Sequence, residues 1–332
     1  MASIMTNASA LTALQSLSAT QKNLDITQAR ISTGYRVSQA SDNAAYWSIA
    51  TTMRSDNQAM STVSDALGLG ASKVDTAYTG MNSSIDTLNQ IKTKLVASYG
   101  QTDADKEKTQ TEIAALQKQL KAYADGATFS GTNMLSVNSG TATAAADVKI
   151  VSAFNRDASG SSSISTIDVN VESTKLYEAG TTAGTAKGIL DADRLGSTGA
   201  ITTTAQNPTA GAASVALDTY SVATLKVYDS TSGKGFSDSQ IADQMKVVDA
   251  ALKDMTNAAT TLGAAKSSID LQKTFTSSLM DSIDRGVGQL VDADMNKEST
   301  RLQALQVQQQ LGVQALSIAN GSSQSILSLF RG

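Results

Sequence analysis

The chain has 332 residues, a net charge of −4, no cysteine and no histidine. The missing residue types exclude disulfides, thiol chemistry and the commonest acid–base group, and the mild negative charge offers no basic surface for nucleic acid or an anionic membrane. Aromatic residues make up only 4% of the chain, which is too few for one conventional globular core but enough for helices packed along a shared axis. We predict no cofactor, no nucleic-acid binding and no membrane insertion.

The N-terminal segment predicts a long helix over residues 3–32. It contains no charged residue before Lys22. Gly34 ends the predicted helix, and Ser41 or Asp42 is placed to cap the next one by accepting a hydrogen bond from a free backbone amide. The apolar residues of the first helix recur at spacings that fit a heptad repeat: Leu14, Leu17, Leu24 and Ile31.

The strongest periodicity of the sequence follows this connector. The sequence has a repeat of seven residues with two sets of positions on one helix face. The second set, its companion positions, is mixed, because it includes Asp56, Gly70, Ser84 and Ser98 among apolar residues. A single helix over the span would be about 80 Å long at ~1.5 Å per residue, and a rod of that length needs packing partners throughout. Steps of seven residues give only apolar positions: Tyr46, Met53, Met60, Leu67, Val74, Met81, Leu88 and Leu95.

A shorter helix and then a change of composition come next. Thr102 and Asp105 have the spacing of a capping pair, and Gly126 ends the helix that they begin. From residue 131 to residue 236 Gly, Ser and Thr accumulate, and the short alternating runs 167–171 and 225–228 predict half-buried strands. We expect a small β-containing domain here, with a loosely ordered low-complexity linker as the alternative.

Helical periodicity returns at Ser237, which forms a capping-box pattern with Gln240. Past Leu290 the apolar register slips by about one residue, which predicts a change of winding or a bend in a second long rod. The residues that we expect in the core of this rod are Met245, Val248, Leu252, Met255 and Leu262.

The C-terminal stretch contains no charged residue between Leu302 and Phe330. Its many glutamines make it too polar to span a bilayer, and no charged face would keep it soluble alone. We therefore expect both chain ends to form one coiled element that is buried against other protein helices. The residues of this stretch that we assign to a polymerisation interface, together with those of the first helix, are Leu302, Leu305, Leu316, Ile326, Leu327 and Phe330.

These elements predict a nested, mainly α fold. Long antiparallel, coiled-coil-like helical rods are built from both chain ends, with a small β-containing variable insert between them. We predict three domains. Residues 1–40 plus 291–332 form a terminal helical domain, residues 41–130 plus 237–290 a helical rod domain, and residues 131–236 an outer β-containing domain.

Several motifs resemble those of the bacterial flagellins, the subunits of the flagellar filament. Residues 30–37 read Arg-Ile-Ser-Thr-Gly-Tyr-Arg-Val, and residues 40–45 read Ala-Ser-Asp-Asn-Ala-Ala. Near the other end, residues 291–294 read Val-Asp-Ala-Asp and residues 326–331 read Ile-Leu-Ser-Leu-Phe-Arg, while Phe-Ser-Gly-Thr-Asn-Met-Leu at 129–135 matches the link out of the helical region. The overall character is similar to that of flagellins from soil alphaproteobacteria, including rhizobia.

The resemblance implies a structural subunit, without enzyme activity, that polymerises into a hollow helical filament for swimming motility. The terminal helices would line the interior of the filament and the insert would project outward. The implied location is extracellular, after secretion without a cleavable signal peptide. The implied partners are further copies of the chain, related flagellins, a flagellar export chaperone, the export apparatus and the filament cap.

Many flagellins carry a patch that the innate immune receptor for flagellin recognises, with Arg, Glu and Leu at key positions. The matching positions here hold other residues, so we predict a degenerate patch and weak receptor activation. The residues of this patch are Gln90, Ile91, Thr93 and Lys94.

Three alternatives stay open at this point. A hook–filament junction protein of the same superfamily would be made in far fewer copies than a filament subunit. A non-flagellar coiled-coil scaffold would sediment as a stable two- or three-stranded rod, but it would not explain the terminal motifs. An enzyme in the insert would depend on carboxylates such as Asp191 and Asp193, whose spacing matches no recognised metal motif.

Overall fold

The computed structural model describes residues 7–139, 145–157, 159–180 and 187–329, with side chains as far as residue 321. This described part of the chain is mainly helical, as the sequence predicts. Its strands all lie between the third and the fourth helix. The α-helices are α1 (Ala8–Thr33), α2 (Ala44–Ser98), α3 (Asp103–Gly126), α4 (Asp238–Val291) and α5 (Met295–Leu329).

The ends of α1 follow standard capping chemistry. The side chain of Asn7 accepts a hydrogen bond of 3.0 Å from the amide of Ala10. At the other end Gly34 adopts a left-handed conformation with φ of 76°, and its amide donates to the carbonyl of Arg30 at 2.8 Å. A residue with a side chain would be strained at that φ, so the predicted helix end at Gly34 is confirmed.

The predicted cap of α2 is wrong. The side chain of Asn43, rather than that of Ser41 or Asp42, accepts a hydrogen bond of 3.1 Å from the amide of Tyr46. The Asp42 carboxylate instead accepts hydrogen bonds from the amides of Ser38 and Gln39, which hold the pKa of Asp42 below its usual value. Asp42 is therefore used to fold the connector before the helix.

The two other predicted caps are confirmed. The hydroxyl of Thr102 accepts from the amide of Asp105 at 3.4 Å and donates to the Asp105 carboxylate at 2.9 Å. The amide of Ser237 donates to the side chain of Gln240 at 3.0 Å, and the amide of Gln240 donates to the Ser237 hydroxyl at 3.4 Å. Both motifs satisfy amides that would otherwise be free at the start of α3 and α4.

The predicted slip past Leu290 is a complete break in the helix. The amide of Ala293 donates to the carbonyl of Gly34 at 2.8 Å, so the backbone leaves the helix to pair with the connector after α1. The Asp294 carboxylate then accepts from the amides of Asn296 and Lys297, at 3.1 and 3.2 Å, and caps α5. The spacing of apolar residues indicates the change of register, but it does not predict these long-range hydrogen bonds.

The described strands form two-stranded sheets, of which the longest joins β4 and β5 in antiparallel register with an irregularity between Val151 and Ala153. Val169 and Val171 of the first predicted alternating run are buried, and β5 includes Val169. The strands are β1 (Thr128–Phe129), β2 (Thr132–Asn133), β3 (Ser136–Val137), β4 (Val148–Arg156), β5 (Ser162–Val169), β6 (Tyr177–Glu178), β7 (Arg194–Leu195), β8 (Thr219–Tyr220), β9 (Tyr228–Asp229) and β10 (Lys234–Gly235).

The second predicted strand run, 225–228, is wrong for its first three residues. Leu225 and Val227 are buried, but they lie outside any strand. Their backbone groups bond to side chains of α3, because Gln117 donates to the carbonyl of Leu225 at 3.0 Å and Gln110 accepts from the amide of Val227 at 2.7 Å. Glutamines on a helix therefore satisfy the backbone that a neighbouring strand would satisfy in a sheet.

Two compact units divide the chain. The first comprises Met1–Ala59 and Leu279–Gly332, and the second comprises Met60–Ser278. The three-domain division drawn from the sequence stays a prediction. No helix of the described residues is long and apolar enough to cross a lipid bilayer.

The core of the second unit includes most of the repeat in α2. Ser84 and Ser98, which interrupt the companion positions of that repeat, are also fully buried. Each hydroxyl donates to a carbonyl of its own helix, Ser84 to Gly80 at 2.8 Å and Ser98 to Leu95 at 2.7 Å, so neither is left without a partner. A side chain at Gly70 would overlap Ile150, so this third interruption admits β4 close to α2.

A buried lysine organises part of the insert. Lys175 is inaccessible to solvent, and its ammonium lies 2.9 Å from Glu172 and 3.0 Å from Glu178. Burial alone would raise the pKa of Glu178, but hydrogen bonds from the Ser139 amide and hydroxyl and from Lys175 lower it to about 2. Glu178 therefore stays ionised at neutral pH and balances the buried ammonium.

Candidate self-association surface

Helices α1 and α5 of the first unit pack against each other in antiparallel orientation. The side-chain amide of Asn7, at the start of α1, donates to the carbonyl of Ala319 in α5 at 2.9 Å. Near the other end of α1, Arg30 forms an ion pair of 3.2 Å with Glu298, in the first turn of α5. These contacts fix the register of the two helices along most of their length.

Glutamines lie between the two helices as well. Gln309 donates a hydrogen bond of 2.7 Å to Gln21. A side chain at Gly312 would meet Leu17 at 3.2 Å, so the small residue permits a close approach of the helices there. Asn7 and Gln21 are polar residues beside the apolar repeat of the first helix, and both form hydrogen bonds across the pair.

The pair buries few of its own side chains. Leu24 and Thr27 are the buried residues of α1, and Glu298 and Leu305 are those among the described side chains of α5. Large apolar side chains on both helices are between 41% and 73% exposed: Leu11, Leu14, Ile26, Val307, Leu311, Val313 and Ile318. We call these seven residues the open apolar face.

The interface residues predicted from the sequence are spread between contact and exposure. Leu24 and Leu305 are buried, while Leu14 is exposed. The side chains of Ile326 and Leu327, and the whole of Phe330, lie outside the described residues. The remaining predicted residues are half-buried: Leu17, Ile31, Leu302 and Leu316.

Two buried polar atoms at the α1–α5 contact have no partner within the described residues. They are the hydroxyl of Thr27 and the second carboxylate oxygen of Glu298. Leaving such groups unpaired costs about 1–3 kcal/mol each, so these two atoms lower the stability of the pair in the single chain.

The two connectors of the first unit meet in a short backbone pairing. Tyr35 bridges Asp292 in antiparallel register, and the amides of Arg36 and Val37 both donate to the carbonyl of Val291, at 2.6 and 3.2 Å. The guanidinium of Arg54 lies 4.9 Å from the centre of the Tyr35 ring. This pairing holds the chain where α1 ends and α5 begins.

A small apolar cluster includes two residues of this pairing, Val37 and Val291. Val37, Ala50, Val287 and Val291 are buried there, and Met53 packs against them while half-buried. The connector after α1 is thus held by apolar contacts as well as by backbone hydrogen bonds.

The predicted rod-core residues other than Met53 lie in the second unit. Met60 is buried there, while Met245 and Leu252 are half-buried against the core. The others are fully buried: Leu67, Val74, Met81, Leu88, Leu95, Val248, Met255 and Leu262.

The residues of the predicted immune-receptor patch divide between surface and core. Gln90 and Thr93 are exposed, whereas Ile91 is fully buried. Lys94 is half-buried and lies 2.6 Å from Glu112, so α3 engages its charge. Only part of the patch is therefore accessible on the single chain.

The two carboxylates considered for an enzyme in the insert face different partners. Asp191 accepts from the amide of Glu178 at 2.9 Å, and burial raises its pKa. Asp193 pairs with Lys187 at 2.7 Å. Across the described ranges, no three His, Cys, Asp or Glu side chains group closely enough to hold a metal ion.

Comparison with known proteins gives two family matches. Residues 4–141 match the bacterial flagellin N-terminal helical region, and residues 245–330 match the bacterial flagellin C-terminal helical region. The chain is 49% identical to Flagellin C and 42% identical to Flagellin A of Rhizobium meliloti strain 1021, and 47% identical to a flagellin of Brucella melitensis. Each of these alignments covers 100% of both chains.

Proposed function

This chain belongs to the bacterial flagellins and is a structural subunit of the flagellar filament, and we propose that its α1–α5 pair is the surface through which copies polymerise. The observation that carries the proposal is the open apolar face. Seven large apolar side chains stay exposed on two helices that lack charge over most of their length. Such a surface marks an interaction site on a soluble protein.

Burial of this surface contributes favourable free energy to assembly. Full burial of one such side chain stabilises by roughly 1.5–3 kcal/mol, so removing the remaining exposed half contributes about 1 kcal/mol for each of the residues. Few like charges accumulate when many subunits gather around one axis, because long stretches of both helices carry no charge. The proposed interface includes the predicted residues of both helices, of which Leu24 and Leu305 are buried within the α1–α5 pair itself.

We propose that the second unit supplies the rigid body of the subunit. Its buried repeat on α2 and the facing residues of α4 form one continuous apolar core. Ion pairs such as Lys92–Asp249, at 2.6 Å, and Lys94–Glu112 link α2 to its neighbours, but exposed pairs of this kind contribute only about 0–1 kcal/mol each. Apolar packing therefore carries most of the stability of the body.

The proposed location is extracellular, after export without a cleavable signal peptide and with a flagellar chaperone, the export apparatus and the filament cap as partners. The composition supports this route. The chain has no cysteine and one proline, so neither crosslinks nor several slow isomerisation steps would delay refolding at the filament tip. The proposed role is structural rather than enzymatic.

We also propose that this flagellin is a weak ligand for the innate immune receptor. Full burial of Ile91 supports the proposal, and so does the surface ion pair of the half-buried Lys94 with Glu112, while Gln90 and Thr93 are exposed. Neither of these two exposed residues carries a charge.

A chain that ends at Leu302 should stay monomeric under conditions in which the full chain forms filaments. The truncation removes most of α5, and with it Leu305 and four residues of the open apolar face. Sedimentation and negative-stain microscopy measure the polymer, and circular dichroism shows that the second unit still unfolds cooperatively. Filament growth by the truncated chain would refute the proposed interface.

A further inference from the structure

One peptide bond of α5 joins two residues whose side groups can react with each other. Residues 320–323 read Asn-Gly-Ser-Ser, and Asn320 is the only asparagine of the chain that is followed by glycine. Both Asn320 and Gly321 are helical and exposed. Within the part of the chain that the structure describes, a Cβ added at Gly321 would meet no atom within 4 Å. The bond between the two residues is therefore open to solvent on that side.

An asparagine followed by glycine is prone to deamidation, because glycine has no side chain to hinder its own amide nitrogen. The deprotonated amide nitrogen of Gly321 attacks the side-chain carbonyl carbon of Asn320, a C–N bond forms, and ammonia leaves. The resulting succinimide ring takes up one water molecule and opens to aspartate or isoaspartate. The net reaction consumes water, releases ammonia and replaces a neutral amide by a carboxylate.

An intact helix hinders this reaction. A helical ψ of about −42° at Asn320 holds the Gly321 nitrogen away from the side-chain carbonyl carbon. In an α-helix the same N–H also donates to the carbonyl four residues earlier. Deamidation of Asn320 therefore requires local opening of α5.

The sequence and the position of Asn320 both favour such opening. Asparagine, glycine and serine have low helix propensity, and glycine alone costs about 1 kcal/mol relative to alanine in a helix interior. Asn320 directly follows Ala319, whose carbonyl accepts from Asn7 at the start of α1, while α5 continues to Leu329. Asn320 thus lies at one end of the α1–α5 contact, and helix ends open at little cost in free energy unless packing holds them.

Deamidation would place a charge where the α1–α5 pair has none. Neither lysine nor arginine occurs among residues 1–21 or 302–330, so neither helix offers a cation near position 320. Asn320 comes seven residues after Val313 and so lies on the same side of α5 as this residue of the open apolar face. A carboxylate buried there would stay unpaired, which is costly. Isoaspartate would also lengthen the backbone by one methylene group and interrupt the helix.

We propose that Asn320 deamidates in the free subunit and that the new charge removes this subunit from assembly. The effect on assembly rests on the proposed function of the α1–α5 pair, whereas the reaction itself does not. Other copies that cover α5 in the filament keep the helix closed, so incorporated subunits retain the amide. The Asn320–Gly321 bond thereby limits how long an unassembled subunit stays competent.

The reaction is tested by mass spectrometry of proteolytic peptides, after incubation of the full-length monomer and of filaments at the same mildly alkaline pH. We expect Asn320 to deamidate at least tenfold faster in the monomer. The matched control is Ser83→Gly, which places glycine after the exposed Asn82 of α2, a helix packed along the core of the second unit. The amide of Asn82 should persist in the monomer of this variant.

Two results of this measurement would overturn the proposal. One is an Asn320 amide that persists as long in the monomer as in the filament. The other is deamidation of Asn82 in Ser83→Gly at the rate of Asn320, which would show that opening of α5 does not select the site.

The effect on assembly is measured with Asn320→Asp, for which the subunit concentration that supports filament growth should rise at least tenfold. The matched control is Asn170→Asp in the insert. Asn170 is exposed and its side-chain oxygen accepts from the amide of Ser173 at 2.9 Å, a bond that aspartate retains, so this variant should polymerise normally. Normal growth of Asn320→Asp would contradict the proposal.

The failure of this inference is distinguishable from the failure of the proposed interface. Asn320→Gln cannot form the five-membered ring, so its monomer should stay competent through an incubation in which the parent monomer loses competence. Equal loss by both chains would overturn the role of Asn320 alone. Normal polymerisation of Leu305→Asp, a change inside the α1–α5 pair, would instead refute the interface and leave rapid deamidation of the monomer intact.

Discussion

Filaments should not form from a chain in which Leu305 is replaced by Asp. Leu305 is 6% exposed, between two helices that otherwise bury few side chains. An unpaired carboxylate at this position costs about 3 kcal/mol or more, which corresponds to at least roughly a hundredfold weaker association for every subunit added. Sedimentation of the polymer after seeding with parent filaments measures the effect.

The matched control for this variant is Leu217→Asp. Leu217 lies in the insert and is 61% exposed, so the same chemical change there should leave polymerisation and the unfolding temperature unchanged. The second unit should also unfold at the same temperature in both variants, because Leu305 belongs to the first unit. Normal filament yield from Leu305→Asp would show that the α1–α5 contact is not needed for assembly.

Truncating Leu88 to Ala should destabilise the second unit by about 3–4 kcal/mol. The side chain is fully buried in the apolar core, and the substitution removes its transfer free energy and leaves a cavity. Urea unfolding followed by circular dichroism measures the change in the free energy of unfolding. We expect a lower midpoint with a nearly unchanged slope.

Leu69→Ala on the same helix is the control for this prediction. Leu69 is 48% exposed, so the change should cost at most about 1 kcal/mol. Equal effects of the two substitutions would mean that the repeat in α2 does not form a packed core.

The long helices could be predicted because their apolar residues repeat over many turns. Each cap motif at Thr102 and Ser237 was correct, since its donor and acceptor lie within four residues of each other. The cap of α2 was missed because Asn43 competes with Asp42 and Ser41 for the same role, and spacing alone does not rank them. A helix cap could therefore be predicted from the sequence where only one nearby side chain was a candidate for it.

Features that depend on distant residues were not predictable. The break after Val291 results from backbone hydrogen bonds to residues 34–37, and no local signal at 292–294 specifies them. Likewise Val227 avoids a strand because Gln110, more than a hundred residues earlier, accepts its amide. Alternation of apolar residues correctly indicated burial there, but not the hydrogen-bond partner.

In the candidate interface, too, some features could be predicted from the sequence and others could not. The apolar spacing identified Leu24 and Leu305, which the structure buries, although their role in polymerisation stays a prediction. It did not predict the hydrogen bonds of Asn7, Gln21 and Gln309, which fix the register of α1 against α5. A search for polar residues that face each other when the two helices are aligned antiparallel could have found them.

Hydrogen exchange at the amides of α1 and α5, compared between the monomer and the assembled filament, tests the central claim most directly. We hold that these helices are incomplete until other copies cover their open apolar face. Their amides should therefore exchange rapidly in the monomer and slowly in the filament, while the amides of buried α2 residues stay slow in both. Slow exchange throughout α1 and α5 in the monomer would contradict the account.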